Sequence, residues 1–163
     1  MKNIILLLFT TMVFSQGSPY LSISADLRNG IVGSKPTNNK PEADLLFRAG
    51  VISNKDLKVG VLYENFKSIG FQKYGFEIGN QIKFTNRLII VPTIEVTIIV
   101  RENLNHLNAG LNAEIIYMLT DNLGISTIAN YSTRTDLNYY YGGDNYKFSG
   151  YAGLIWRFNV YDN

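Results

Sequence analysis

The sequence predicts an all-β fold, an eight-stranded antiparallel up-and-down barrel. Three observations carry that prediction. Eight stretches alternate apolar and polar residues with a period of two, the spacing at which strand side chains share a face. No stretch sustains helical spacing. The connections alternate between tight turns and longer loops, as a meander requires, and the longest loops fall first and last.

Composition bounds the class. The chain has 163 residues, 46% of them apolar, with a mean hydropathy of zero: enough for one globular domain and too apolar for disorder. A formal charge of +2, with no long basic run, gives no reason to expect a nucleic-acid partner. The absence of cysteine excludes thiolate metal sites, disulfides and an acylated N-terminal Cys. Residues 1–15 read as a secretory signal, with Lys2 ahead of the apolar run 4–14 and Val13 and Ser15 before the cut. The run is too short for a spanning helix, so the expected barrel domain is 16–163.

Taken in order, strand one (20–28) sets Leu21, Ile23, Ala25 and Leu27 against Ser22, Ser24, Asp26 and Arg28, and the Gly-, Pro-, Asn- and Lys-rich loop 29–43 follows. Strand two (44–53) turns tightly through 53–56 into strand three (57–66). Strand four (71–84) is the clearest: Tyr74, Phe76, Ile78, Ile82 and Phe84 oppose Lys73, Gly75, Glu77, Gly79, Gln81 and Lys83. Strand five (87–101) is less cleanly divided, because Ile89, Val91 and Ile99 share a face with Glu95 and Arg101. It also contains Pro92, which cannot donate a ladder hydrogen bond, so a bulge is expected there. A polar loop at 102–106 leads to strand six (107–119), and strand seven (123–134) leads to the tyrosine-rich loop 135–146. Strand eight (147–158) completes the set.

Which face meets water decides the function class. A soluble barrel that binds an apolar ligand turns its apolar face inward. Two features favour the inverse. Rings cap the apolar face at two levels: Tyr63, Tyr74, Tyr131 and Phe148 toward the long loops, Phe84, Tyr117, Trp156 and Phe158 toward the tight turns, as in the aromatic girdles of membrane boundaries. The polar face mixes glycine with charges of both signs, a composition suited to a narrow interior of ion pairs formed by Arg48, Lys58, Lys73, Glu77, Glu95, Glu114 and Arg157. Strands of this length cross a bilayer at a tilt, and a sheet in hydrocarbon must close. The expectation is therefore a transmembrane barrel in the outer membrane, with both termini on the periplasmic side.

The terminal run Tyr151-Ala152-Gly153-Leu154-Ile155-Trp156-Arg157-Phe158 resembles the closing strand of bacterial outer-membrane barrels, with Tyr151, Gly153, Trp156 and Phe158 at the matching positions. With the leader and loop asymmetry, the mature chain is similar to small OmpA/OmpX-type barrels. The resemblance implies recognition of those four residues by the barrel-assembly machinery. The tail 159–163 departs from the pattern, which usually stops at the aromatic residue.

Candidate chemistry is sparse. Glu77, Glu95 and Glu114 on adjacent strands allow a cation site or an acid/base pair, but neutralisation by Arg48, Lys58, Lys73 and Arg157 is the simpler reading. His106, the only histidine, with Ser132 and Asp136 toward the same rim, is the one constellation that fits a lipid-modifying enzyme. No nucleophile elbow, phosphate-binding glycine loop or paired-histidine metal motif is present. The expectation is a non-enzymatic barrel without cofactor or metal, acting structurally or through contacts at loops 29–43 and 135–147. Its partners would be membrane lipids, lipopolysaccharide and envelope proteins.

Overall fold

The computed structural model describes residues 17–31, 42–67, 70–102, 104–142 and 145–158. The secretory signal assigned to 1–15, most of the first loop and the tail 159–163 lie outside them. The strands are β1 (Gly17–Asp26), β2 (Leu45–Ser53), β3 (Leu57–Phe66), β4 (Phe71–Asn80), β5 (Ile82–Lys83), β6 (Leu88–Arg101), β7 (Leu104–Met118), β8 (Leu123–Thr133) and β9 (Tyr146–Arg157). Sheet order runs β4-β3-β2-β1-β9-β8-β7-β6-β5, with β4 also paired to β6. The sheet therefore closes. β5 continues β4 in the same register against β6, so the barrel has eight antiparallel staves.

The faces are inverted relative to a water-soluble protein. Phe76, Ile94 and Leu111 point outward, 70%, 56% and 59% exposed, while Lys58 and Glu114 are fully buried. An apolar-ligand cavity inside the sheet is thereby excluded: charge and amide groups occupy that space.

Several expectations about local structure need correction. The bulge at Pro92 does not form. β6 pairs with β7 without interruption from Leu88↔Tyr117 to Arg101↔Leu104, with Pro92 opposite Ala113. Pro92's carbonyl lies 2.3 Å from where a Cβ on Gly79 would stand, so its missing N–H also belongs to the β4 side. Its place in that register is opposite Asn80, the last residue of β4, where the pairing with β6 breaks before resuming at Ile82↔Ile90. Ile89, Val91 and Ile99 pack inside the barrel, at 3%, 0% and 0% exposure, which explains their presence on the polar face.

The polar loop at 102–106 is shorter than expected, because β6 and β7 extend to pair Arg101 with Leu104. One connection at the long-loop end is therefore also tight. Two short helices occur in stretches expected to be strand end or loop, α1 (Leu27–Ile31) and α2 (Thr135–Tyr141). α2 ends on Gly142, whose φ of 61° supplies the left-handed residue that a helix C-terminus favours.

Candidate functional site

The interior is stacked in layers. Toward the tight turns lies an apolar plug that includes Ile52, Ile89, Val91, Ile116, Met118 and Ile155. It supplies the dry floor on which the ionic groups rest.

Above it, Arg48, Lys58, Glu77 and Glu114 form a closed quartet. Arg48 grips Glu114 with both Nη atoms and approaches Glu77 at 3.7 Å, while its Nε donates to Ser22 Oγ at 3.0 Å. Lys58 Nζ bridges Glu77 (2.9 Å) and Glu114 (2.8 Å). Two cations and two carboxylates, each touching both opposites, satisfy the rule that buried charges be paired.

The register explains how Tyr20 joins them. Tyr20, Gly50, Gly60 and Glu77 stand side by side on β1, β2, β3 and β4. The two glycines leave a trough in which the Tyr20 ring lies, and its hydroxyl crosses to donate to Glu77 Oε1 at 2.7 Å. A Cβ on Gly60 would meet the Tyr20 hydroxyl at 2.2 Å. The glycines were legible in the sequence as small interior residues. Period two puts Tyr20 on the face of Ser22 and Ser24, but its reach to Glu77 depends on the glycines of β2 and β3.

A second group centres on Lys73, whose Nζ meets Glu64 at 2.7 Å and Glu95 at 3.2 Å. Tyr151 donates to Glu64 (2.9 Å) and Asn112 to Glu95 (3.0 Å). Asn130 in turn donates to Asn112. Glu64 and Tyr151 were not expected in this network.

Arg157 is a correction in the opposite sense. It stands apart at the tight-turn end among Lys83, Arg87 and Asp121, and its Nε and Nη2 have no hydrogen-bond partner. It forms no ion pair with the quartet's carboxylates, although it stands opposite Tyr20 on the β9–β1 ladder. Tyr151 is also an inner-face residue. It is buried in the lumen, whereas Trp156 and Phe158 lie exposed on the outer wall. Gly153 packs against Ser24 on β1 with no space for a Cβ.

At the long-loop end α2 packs against β7. Arg134 donates twice to Asp136, at 2.7 Å each, and Arg101 lies 3.7 Å from the same carboxylate. Burial would raise the Asp136 pKa, but the hydrogen bonds and charge of Arg134, then the charge of Arg101, hold it below the ordinary range. The Arg134 guanidinium lies over Phe71, and the Tyr140 hydroxyl donates to the Arg101 carbonyl at 3.0 Å. His106 is not in a loop. It is a half-buried residue of β7 packed against Tyr139 and Tyr140, with centroid separations of 5.5 and 5.9 Å. Asp136 is committed to the two arginines, so the rim does not assemble a His–Asp–Ser relay. Nearby, on β2's approach, burial first and then the charge of Glu64 push the Asp44 carboxyl up to about 7.

The expected ring residues occupy the outer wall: Tyr63 faces Tyr74, and Tyr131 faces Phe148, on adjacent staves, with Phe84 and Tyr117 also exposed. Among the described residues no three His, Cys, Asp or Glu side chains converge as a metal site.

No protein-family model and no curated protein sequence matches the chain. Solved structures do. The outer-membrane protein Ail of Yersinia pestis, in a phospholipid bilayer nanodisc, is similar at a TM-score of 0.57 and 16% identity, covering 88% of this chain and all of Ail's. The de novo designed barrel TMB2.3 gives 0.57 and 17% identity over 88% of this chain and 96% of its own. A second designed transmembrane β-barrel gives 0.51 and 16%, over 87% and 96%. At such identities the likeness is one of fold: the chain has the architecture of small transmembrane barrels of the OmpA/OmpX type.

Proposed function

We propose that this chain is an integral outer-membrane protein that acts structurally or through contacts made by its outer loops, alone or as a subunit of an envelope assembly. Both termini face the periplasm in this reading, which puts the tight turns on that side. The observation that carries it is the outward apolar wall, flanked by two rows of rings, around a lumen filled with paired charges. A filled lumen supports a role other than passage of solutes. The membrane's lipids and, at the outer leaflet, lipopolysaccharide are the surfaces this wall would meet.

Trp156 and Phe158, exposed on the closing stave, remain available to the barrel-assembly machinery. Gly153 would contribute by admitting β1 closely, and Tyr151 by anchoring the stave from within. Loops 29–43 and 135–147 are the proposed contact surfaces for envelope partners, α2 giving the second a fixed shape.

Extraction tests the membrane reading: the protein should leave the envelope only with detergent, and recovery in detergent-free buffer would refute it. Partner capture by the native protein, but not by one carrying Gly/Ser in place of 135–147, tests the contact reading.

A further inference from the structure

Among the described residues, two buried carboxylates stand together without an ion-pair partner. Among the described residues, seven carboxylates are buried against five cations. Five of the seven have a cation within ion-pair distance: Glu64, Glu77, Glu95, Glu114 and Asp136. Asp26 and Asp44 have none.

These two are neighbours. The Asp26 N–H donates to the Asp44 carbonyl (3.0 Å), one step beyond the Ala25↔Leu45 pair, so the side chains stand opposite each other on β1 and the start of β2. Like charges so placed repel, and burial removes the water that would screen them. Asn29 sits between: its backbone N–H donates to Asp26 Oδ1 (2.9 Å) and its Nδ2 to Asp44 Oδ2 (3.0 Å). Two acceptors remain without a partner, Asp44 Oδ1 and Asn29 Oδ1, on residues only 4% and 2% exposed. The inward-facing Lys147 of β9 reaches Asp44 through its field without forming an ion pair.

We infer that Asp26, Asn29 and Asp44 form a binding site for a hard divalent cation of the calcium type. Two carboxylates and an amide oxygen are the ligands such an ion takes, and its double charge cancels the two unmatched carboxylates. The bound ion ties the end of β1, through α1, to the start of β2. It therefore fixes the first long loop where it leaves and rejoins the wall.

Calcium and terbium titrations of the refolded full-length barrel test the site. Tyr151 faces Asp26 across the β9–β1 ladder and serves as the terbium sensitiser. One ion per chain is expected, with affinity reduced at least about tenfold in both Asp44→Asn and Asn29→Ala. Calcium should raise the melting temperature of the native protein above its value in EDTA and move that of Asp44→Asn less, since D44N removes a ligand and binds the ion more weakly. Absence of saturable binding to the native protein, or undiminished binding to either variant, overturns the proposal. So does an equal response of native protein and D44N to calcium.

Discussion

Arg48 ties three staves together, touching Ser22, Glu77 and Glu114 from one guanidinium. Replacing it by Met leaves Glu114 with Lys58 alone, in a place where water cannot follow. Removing one member of a buried ion pair typically costs about 3–5 kcal/mol. Arg48→Met should lower the urea midpoint of the refolded barrel accordingly, and unchanged resistance to urea and heat would contradict the quartet. The trough at Gly60 makes a coupled prediction. Gly60→Ala places a methyl where the Tyr20 hydroxyl now lies, an overpacking worth about 1–3 kcal/mol. In a Tyr20→Phe background the hydroxyl is gone, so the Gly60→Ala penalty measured by the same unfolding assay should be smaller. Additive penalties would place the Tyr20 ring elsewhere.

At the scale of the element, α2 is fastened by a charge. Asp136 has its pKa held below the ordinary carboxylate value near 3.8 by Arg134 and Arg101. A lowered folded-state pKa contributes stability that is present above the unfolded value and is lost as pH falls through the folded one. Amide exchange in 137–140, measured from pH 6 down to about 2, should therefore accelerate relative to the barrel strands below about pH 4. Asp136→Asn should show the faster relative exchange already at pH 6. Protection that is flat across this range in the native protein would mean that α2 is held by its tyrosines alone.

For the whole molecule, closure and inversion are one fact. A sheet joined from β1 to β9 has no free edge, which lets its backbone sit in hydrocarbon, and hydrocarbon in turn admits an apolar outer wall. Leu111 lies at the middle of the longest stave, 59% exposed. In lipid vesicles Leu111→Arg should destabilise the fold by about 2–4 kcal/mol, the depth-dependent cost of a cation at the midplane. A variant as stable as the native protein in vesicles would indicate a wall that meets water.

Much of this was legible in the chain because period-two patterning records burial directly. Strand three is read to the residue, while strand four, expected over 71–84, has its inward Gln81 as expected but is broken there into β4 and β5 and stops at Lys83. Sequence alone determined the number of staves, the outward wall with its two rows of rings, and which face carries the ions. It did not determine which ions meet. Arg157 shares the face and the charge of Arg48 yet stands apart, while Glu64 and Tyr151 enter the network unannounced. Partners in a lumen are chosen by register and by reach across the barrel, and both exist only once β1 has paired with β9. The same holds for Tyr20, whose inward path depends on two glycines that lie about 30 and 40 residues away in the chain and beside it in the sheet.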